Sequence, residues 1–148
     1  SSLTGWSAAG LSLLSSGAKD IGQTAEKALR EFKSPTIDYG FNTAGVSALC
    51  DISDALVIQA EQIAAASKVA IQFDLSKIET AAEFRELKAL ADKLKVDIWK
   101  WIFAGGEDHV LMATGVNIPG ILIGEVISGE GLYGLPAGVG SSAWKHFK

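Results

Sequence analysis

Apolar positions recur at helical spacing over much of the chain and alternate over a few short runs. Between Thr4 and Gly17, Trp6, Leu13 and Leu14 fall near helical spacing, with Gly10 as a weak point and Gly17 as a stop. Residues 20–33 carry the pattern more fully: Ile21, Ala25, Ala28, Leu29 and Phe32 share one face, and Glu26, Lys27, Arg30 and Glu31 the other. Ser34-Pro35 ends that helix, because the residue before a proline is pushed out of the α region. A loop with Gly40, Asn42 and Gly45 leads to residues 46–50, a short apolar run that predicts a buried strand. Residues 54–67 predict an amphipathic helix, 69–74 a strand that alternates through Val69, Ile71 and Phe73, and 79–95 a helix with Phe84, Leu87, Ala91 and Leu94 inward. A short aromatic helix or turn follows over 97–104, then strands over 109–114 and 118–128, the second interrupted by Pro119-Gly120. The segment 129–142 is Gly-rich, and Trp144-Lys145-His146-Phe147 closes the chain. Strands alternating with helices predict an α/β (α+β) domain, a small mixed sheet covered by helices.

Composition narrows the function classes. With 148 residues, 48% of them hydrophobic and 20% charged, the sequence has the length and apolar content of one globular domain with a sizeable core. A net charge of −4 leaves no broad basic surface to neutralise a phosphate backbone, which argues against nucleic acid as a partner. One cysteine allows neither an internal disulfide nor a Cys-rich zinc site. Cys50 lies in an apolar run and is expected to pack as a small core residue rather than act as a nucleophile. His109 and His146 form no close pair of zinc-ligating histidines. No apolar run approaches the roughly 18–20 residues of a membrane span. The start, Ser-Ser-Leu-Thr-Gly-Trp, lacks a signal-peptide pattern and opens at a helix start, the expectation being a piece of something longer.

Three constellations could carry chemistry. Asp51-Ile52-Ser53-Asp54 sits where a strand runs into a helix, the place where α/β folds bind phosphates and metals. Two carboxylates there suit magnesium, which takes a few carboxylates together with water and phosphate oxygens. Asp and Ser are equally the residues that cap helix N-termini, so both readings stand at this point. Gly105-Gly106-Glu107-Asp108 offers glycines for positive φ or close backbone approach, followed by two acids that could meet a cation or a ligand donor, or simply lie in solvent after a helix stop. It lacks the lysine and spacing of a phosphate-binding Walker loop. Trp144, behind a Gly-rich lead-in, could stack on a flat heteroaromatic or cationic ring, or dock on the core. Trp99 and Trp101 are expected to pack against the sheet.

In order, these segments resemble the thiamine-monophosphate kinase family of the aminoimidazole ribonucleotide synthetase superfamily. Asp51-Ile52-Ser53-Asp54 resembles its Asp-x-Ser-Asp-Gly-Leu motif, and Gly105-Gly106-Glu107-Asp108-His109 its Gly-Gly-Glu-Asp-Tyr/His motif. Trp144-Lys145-His146-Phe147 is similar to its C-terminal Trp/Tyr-Asp-His-Phe signature, and Ser7-Ala8-Ala9-Gly10-Leu11 to the segment entering its second domain. Ala55 stands where the pattern has Gly, and Lys145 where it has Asp. The resemblance implies a C-terminal ATP- and substrate-binding domain over residues 1–148, without the family's N-terminal domain and nearly inactive alone. It further implies a cytoplasmic enzyme, homodimeric when intact, that moves the γ-phosphoryl of ATP onto thiamine phosphate with magnesium. Asp51 and Asp54 would then be magnesium ligands, Ser53 an ATP contact, and Glu107 and Trp144 contacts to thiamine phosphate. The alternatives are a non-catalytic remnant or interaction domain, and another ATP-dependent enzyme of the superfamily, such as a selenophosphate synthetase or a hydrogenase-maturation protein.

Overall fold

The computed structural model describes residues 2–18 and 22–140. Its helices are α1 (Trp6–Ser16), α2 (Gly22–Lys33), α3 (Leu56–Ser67), α4 (Leu75–Thr80), α5 (Ala82–Leu94) and α6 (Ile98–Ala104). Its strands are β1 (Val46–Ile52), β2 (Ala70–Phe73), β3 (Val110–Gly115), β4 (Gly124–Ile127) and β5 (Gly131–Tyr133). Two small sheets form among the described residues instead of one. β1 pairs antiparallel with β3, while β2 sits between antiparallel β4 and parallel β5. The mixed α/β class expected from the sequence holds.

The core lies where α3 meets strands of both sheets and where α5 and α6 pack behind it. Helix α3 buries Leu56, Val57, Ala60, Ile63 and Ala64, and α5 buries Phe84, Leu87, Leu90 and Ala91. Each fully buried Leu, Val, Ile or Phe side chain is worth about 1.5–3 kcal/mol of transfer free energy, so these faces dominate stability. Phe103 of α6 stands edge-on to Phe73 of β2 at 5.0 Å and 83°. Trp99 leans on Phe84 at 5.2 Å and on Phe103 at 6.0 Å, so the aromatic run of α6 joins the β2 sheet to α5.

Several local expectations are corrected by tertiary context. The helix expected over 79–95 is broken at Ala81, whose φ −64, ψ 137 is extended, and a separate α4 precedes it. Asp74 starts α4 by accepting from Lys77 N at 3.3 Å and from Ser76 Oγ at 2.6 Å. Only Ile78 of α4 is buried, too little periodicity to announce a helix. The strand expected over 118–128 shrinks to Gly124–Ile127. Inside the Gly-rich segment, Gly131–Tyr133 becomes β5, because its backbone completes the free edge of β2. The run 46–50 is a strand, but it alternates half-buried and exposed positions, since β1 faces the core on one side only. Gly10 is no defect of α1: a Cβ there would lie 2.3 Å from Ala28 O and 2.6 Å from Phe32 Cβ, so the residue permits the close α1–α2 crossing.

Candidate active site

The segment Gly105-Gly106-Glu107-Asp108-His109 runs beside the exit of β1, and its backbone fixes the contact. Glu107 N donates to Ser53 O at 2.6 Å and His109 N to Ile52 O at 2.9 Å. The glycines serve close approach rather than positive φ. A Cβ on Gly106 would meet Asp54 O at 2.2 Å, and one on Gly105 would meet Trp101 O at 2.4 Å and Ala8 Cβ at 2.7 Å. Positive φ falls instead on Glu107 (64°) and His109 (53°). A non-glycine residue held there costs on the order of 1–3 kcal/mol and persists where its surroundings over-determine it.

Asp108 supplies that determination. Between two outward side chains its own turns inward, is 5% exposed, and accepts from Gly5 N at 2.7 Å and Ser7 N at 2.9 Å. It thereby caps α1 from across the fold. The helix has no cap of its own, because its N-cap is Gly5 and the preceding Thr4 donates its hydroxyl to Ile102 O at 2.7 Å. Burial pushes the Asp108 carboxyl up to about 6, Glu31 adding to the rise while the amides of Ser7, Gly5 and Trp6 pull it down. One of the two motif acids is thus a structural clamp, a role the sequence reading missed. The available signal was a helix at 6–16 with no capping side chain of its own.

These contacts close one side of a cleft of about 620 Å³. Its walls are Ser7, Ala8, Leu11 and Ser12 of α1, Phe32 of α2, Lys100, Trp101 and Ala104 of α6, residues 138–140, and the meeting of Ser53 and Asp54 with Gly105, Gly106 and Glu107. Trp101 is buried and donates its indole N–H to Ser12 Oγ at 3.0 Å, bracing two walls against each other. Of the residues expected to function, Ser53, Asp54 and Glu107 share this cleft. Asp51 is absent from its lining and lies at the exposed end of β1, its Oδ2 3.8 Å from His109 Nδ1. Glu107 Oε2 lies 3.5 Å from Nε2 of the same ring, so His109 joins Asp51 to the cleft rim. Trp144, with the rest of the C-terminal motif, lies outside the described residues.

The capping alternative for the first motif does not take the expected form. The N-cap of α3 is Ala55, which has no capping side chain, and its amide donates to Gln59 Oε1 at 3.1 Å. Ala55 itself is extended at φ −171, a conformation open to any residue, so alanine fits in place of glycine. The donors near the cleft are carboxylate oxygens, the type magnesium takes. Among the described residues, no three His, Cys, Asp or Glu groups cluster tightly enough to hold a metal on their own. Magnesium usually keeps several waters and binds substrate phosphates, so it asks for only one or two protein carboxylates. Burial, with Asp51 adding, raises the half-buried Cys50 thiol to about 11, which removes it as a nucleophile at neutral pH.

The chain is similar to known proteins in sequence and in fold. Thiamine-monophosphate kinase of Mycobacterium tuberculosis is 38% identical over 117 residues, 76% of this chain and 33% of the relative. That of Corynebacterium glutamicum is 35% identical over 115 residues, 74% of this chain and 34% of the relative. The chain is a homologue of thiamine-monophosphate kinase. The homologue spans about a third of the length of these curated relatives. Its fold superposes with a TM-score of 0.74 and 29% identity on AaThiL complexed with AMPPCP and TMP, covering 90% of this chain and 45% of that one. The thiamine-monophosphate kinase of Stenotrophomonas maltophilia shares the fold at a TM-score of 0.72 and 22% identity, over 89% of this chain and 47% of that one. No family model matches the homologue. No helix among its described residues is long and apolar enough to cross a membrane.

Proposed function

We propose that this chain forms the C-terminal ATP- and substrate-binding domain of a thiamine-monophosphate kinase, transferring the γ-phosphoryl of ATP to thiamine phosphate. The observation that carries the reading is the convergence of Ser53, Asp54 and Glu107 on one cleft, in a homologue whose relative was solved with AMPPCP, an ATP analogue, and TMP. Donor and acceptor in this reaction are both anions, so catalysis rests on positioning and charge neutralisation. Bound magnesium would neutralise phosphate charge and orient the phosphoryl oxygens for in-line transfer. Asp54, which lines the cleft, and Asp51 at its rim would supply carboxylates for it, and Ser53 would offer a hydroxyl to ATP. Glu107 would hold thiamine phosphate, its position set by the bond from its amide to Ser53 O, and Trp144 would stack on the ring. The remaining acidic ligands would come from an N-terminal domain, through which the intact enzyme would dimerise in the cytoplasm.

The test joins the chain behind the N-terminal part of a matched relative and follows magnesium- and ATP-dependent formation of thiamine diphosphate, with the intact relative as positive control. Turnover abolished by Asp54→Asn supports the reading. ATP consumption without thiamine diphosphate overturns the substrate, and a folded hybrid that uses no ATP overturns the kinase reading.

A further inference from the structure

We infer that Lys100 is the cleft's own phosphate contact, a side chain that meets a phosphoryl group of the bound ligand and fixes where it lies. The inference deepens the proposed function and rests on it only in taking the cleft's ligand to carry phosphate. Among the described residues lining the cleft, Asp54 and Glu107 are acidic and Lys100 is the single basic side chain. A phosphorylated ligand entering beside two carboxylates needs positive charge, and this ammonium is what the described part of the chain provides there.

Among the described residues, the other basic side chains are engaged in the fold or absent from the cleft lining. Lys27 sits 3.8 Å above the Trp6 ring, 3.5 Å from Glu83 Oε1 and 3.4 Å from Glu86 Oε2. Lys77 pairs with Asp74, Lys88 with Asp92 and Arg30 with Glu31, and Lys100 takes part in none of these pairs. Its backbone, by contrast, is firmly placed. Asp97 caps α6 through Trp99 N at 3.0 Å, and Ile98, Trp101, Ile102 and Phe103 are buried. Lys100 and Ala104, one helical turn apart, are left on the face that lines the cleft. A flexible ammonium on a rigid stem can follow a phosphoryl group over a few ångströms while its point of attachment stays fixed.

The test uses the 148-residue chain and calorimetric titration in magnesium buffer with inorganic pyrophosphate, then ATP and thiamine phosphate separately. Three variants are compared: Lys100→Gln, Lys100→Arg, and, as a control for net charge, Lys93→Gln at an exposed position of α5, each checked for an unchanged thermal midpoint. Lys100→Gln is expected to weaken pyrophosphate roughly tenfold or more, with Lys100→Arg close to the starting chain and Lys93→Gln unchanged. A loss confined to ATP or to thiamine phosphate identifies whose phosphate is met. Equal affinity in Lys100→Gln, an equal loss in Lys93→Gln, or no binding of pyrophosphate by the starting chain overturns the inference. Lys100-dependent pyrophosphate binding with neither ATP nor thiamine phosphate bound leaves the inference standing and overturns the kinase reading.

Discussion

Removing the Asp108 carboxylate should release the N-terminus of α1 and, with it, one wall of the cleft. The carboxylate accepts the amides of Gly5 and Ser7, both buried, and the helix has no other side-chain cap. Asp108→Ala leaves both donors without an acceptor, at about 1–3 kcal/mol each. Asp108→Asn keeps one carbonyl oxygen and should lose about half as much. The charge has its own signature. Because the folded-state carboxyl is raised from 3.8 to about 6, the native chain takes up a proton near pH 6 while the unfolded chain stays ionised down to about 4. This group's contribution to stability therefore grows as pH falls through 6 and shrinks as pH rises. Between pH 7 and pH 5 the gain is on the order of 1 kcal/mol. Urea unfolding of the starting chain and both variants at the two pH values, followed by tryptophan fluorescence and far-ultraviolet circular dichroism, measures it. The stability advantage over Asp108→Asn should widen at pH 5. An advantage equal at both pH values would refute the raised Asp108 carboxyl, and Asp108→Ala unfolding at the same urea concentration as the starting chain would refute the capping argument.

Three further outcomes are expected. Gly106→Ala should lower stability by about 1–3 kcal/mol and weaken ligand binding, since its Cβ would lie 2.2 Å from a backbone oxygen of Asp54 that cannot rotate away; an unchanged thermal midpoint would contradict this. Phe103→Ala should cost about 3–5 kcal/mol, as the ring is fully buried between Phe73 and Trp99. Its thermal midpoint decides the matter, and a small loss would mean that α6 does not tie the sheet to α5. Iodoacetamide should label Cys50 roughly a hundredfold more slowly in the folded chain than in urea at pH 7.5, because burial and Asp51 move its thiol from 9.0 to about 11; equal rates would show an accessible, unshifted thiol.

Much of this molecule was legible from residue pattern. The apolar faces of α3 and α5 repeat every three to four residues, and such a face must be buried whatever partner is found for it. Ser53, Asp54 and Glu107 were candidates by residue type, with capping and solvated-acid readings left open beside them, and the structure places the three on one cleft. Elements that depend on distant partners were not legible. β5 carries three residues of weak strand character and exists because β2 offers an unpaired edge. The break at Ala81 has no proline or glycine to announce it.

For the site, the sequence alone determined which side chains are available: carboxylates, a hydroxyl, glycines and a lysine, in a fixed order. Tertiary structure decided which of them meet. It set Glu107 against Ser53 through a backbone bond, turned Asp108 away from the cleft to hold α1, left Asp51 on the rim beside His109, and brought Lys100 to the wall. The physical reason is that a side chain's chemistry is local to its residue. Its neighbours across a sheet or a helix crossing depend on backbone approach, here permitted by Gly10, Gly105 and Gly106, where any Cβ would force the walls apart.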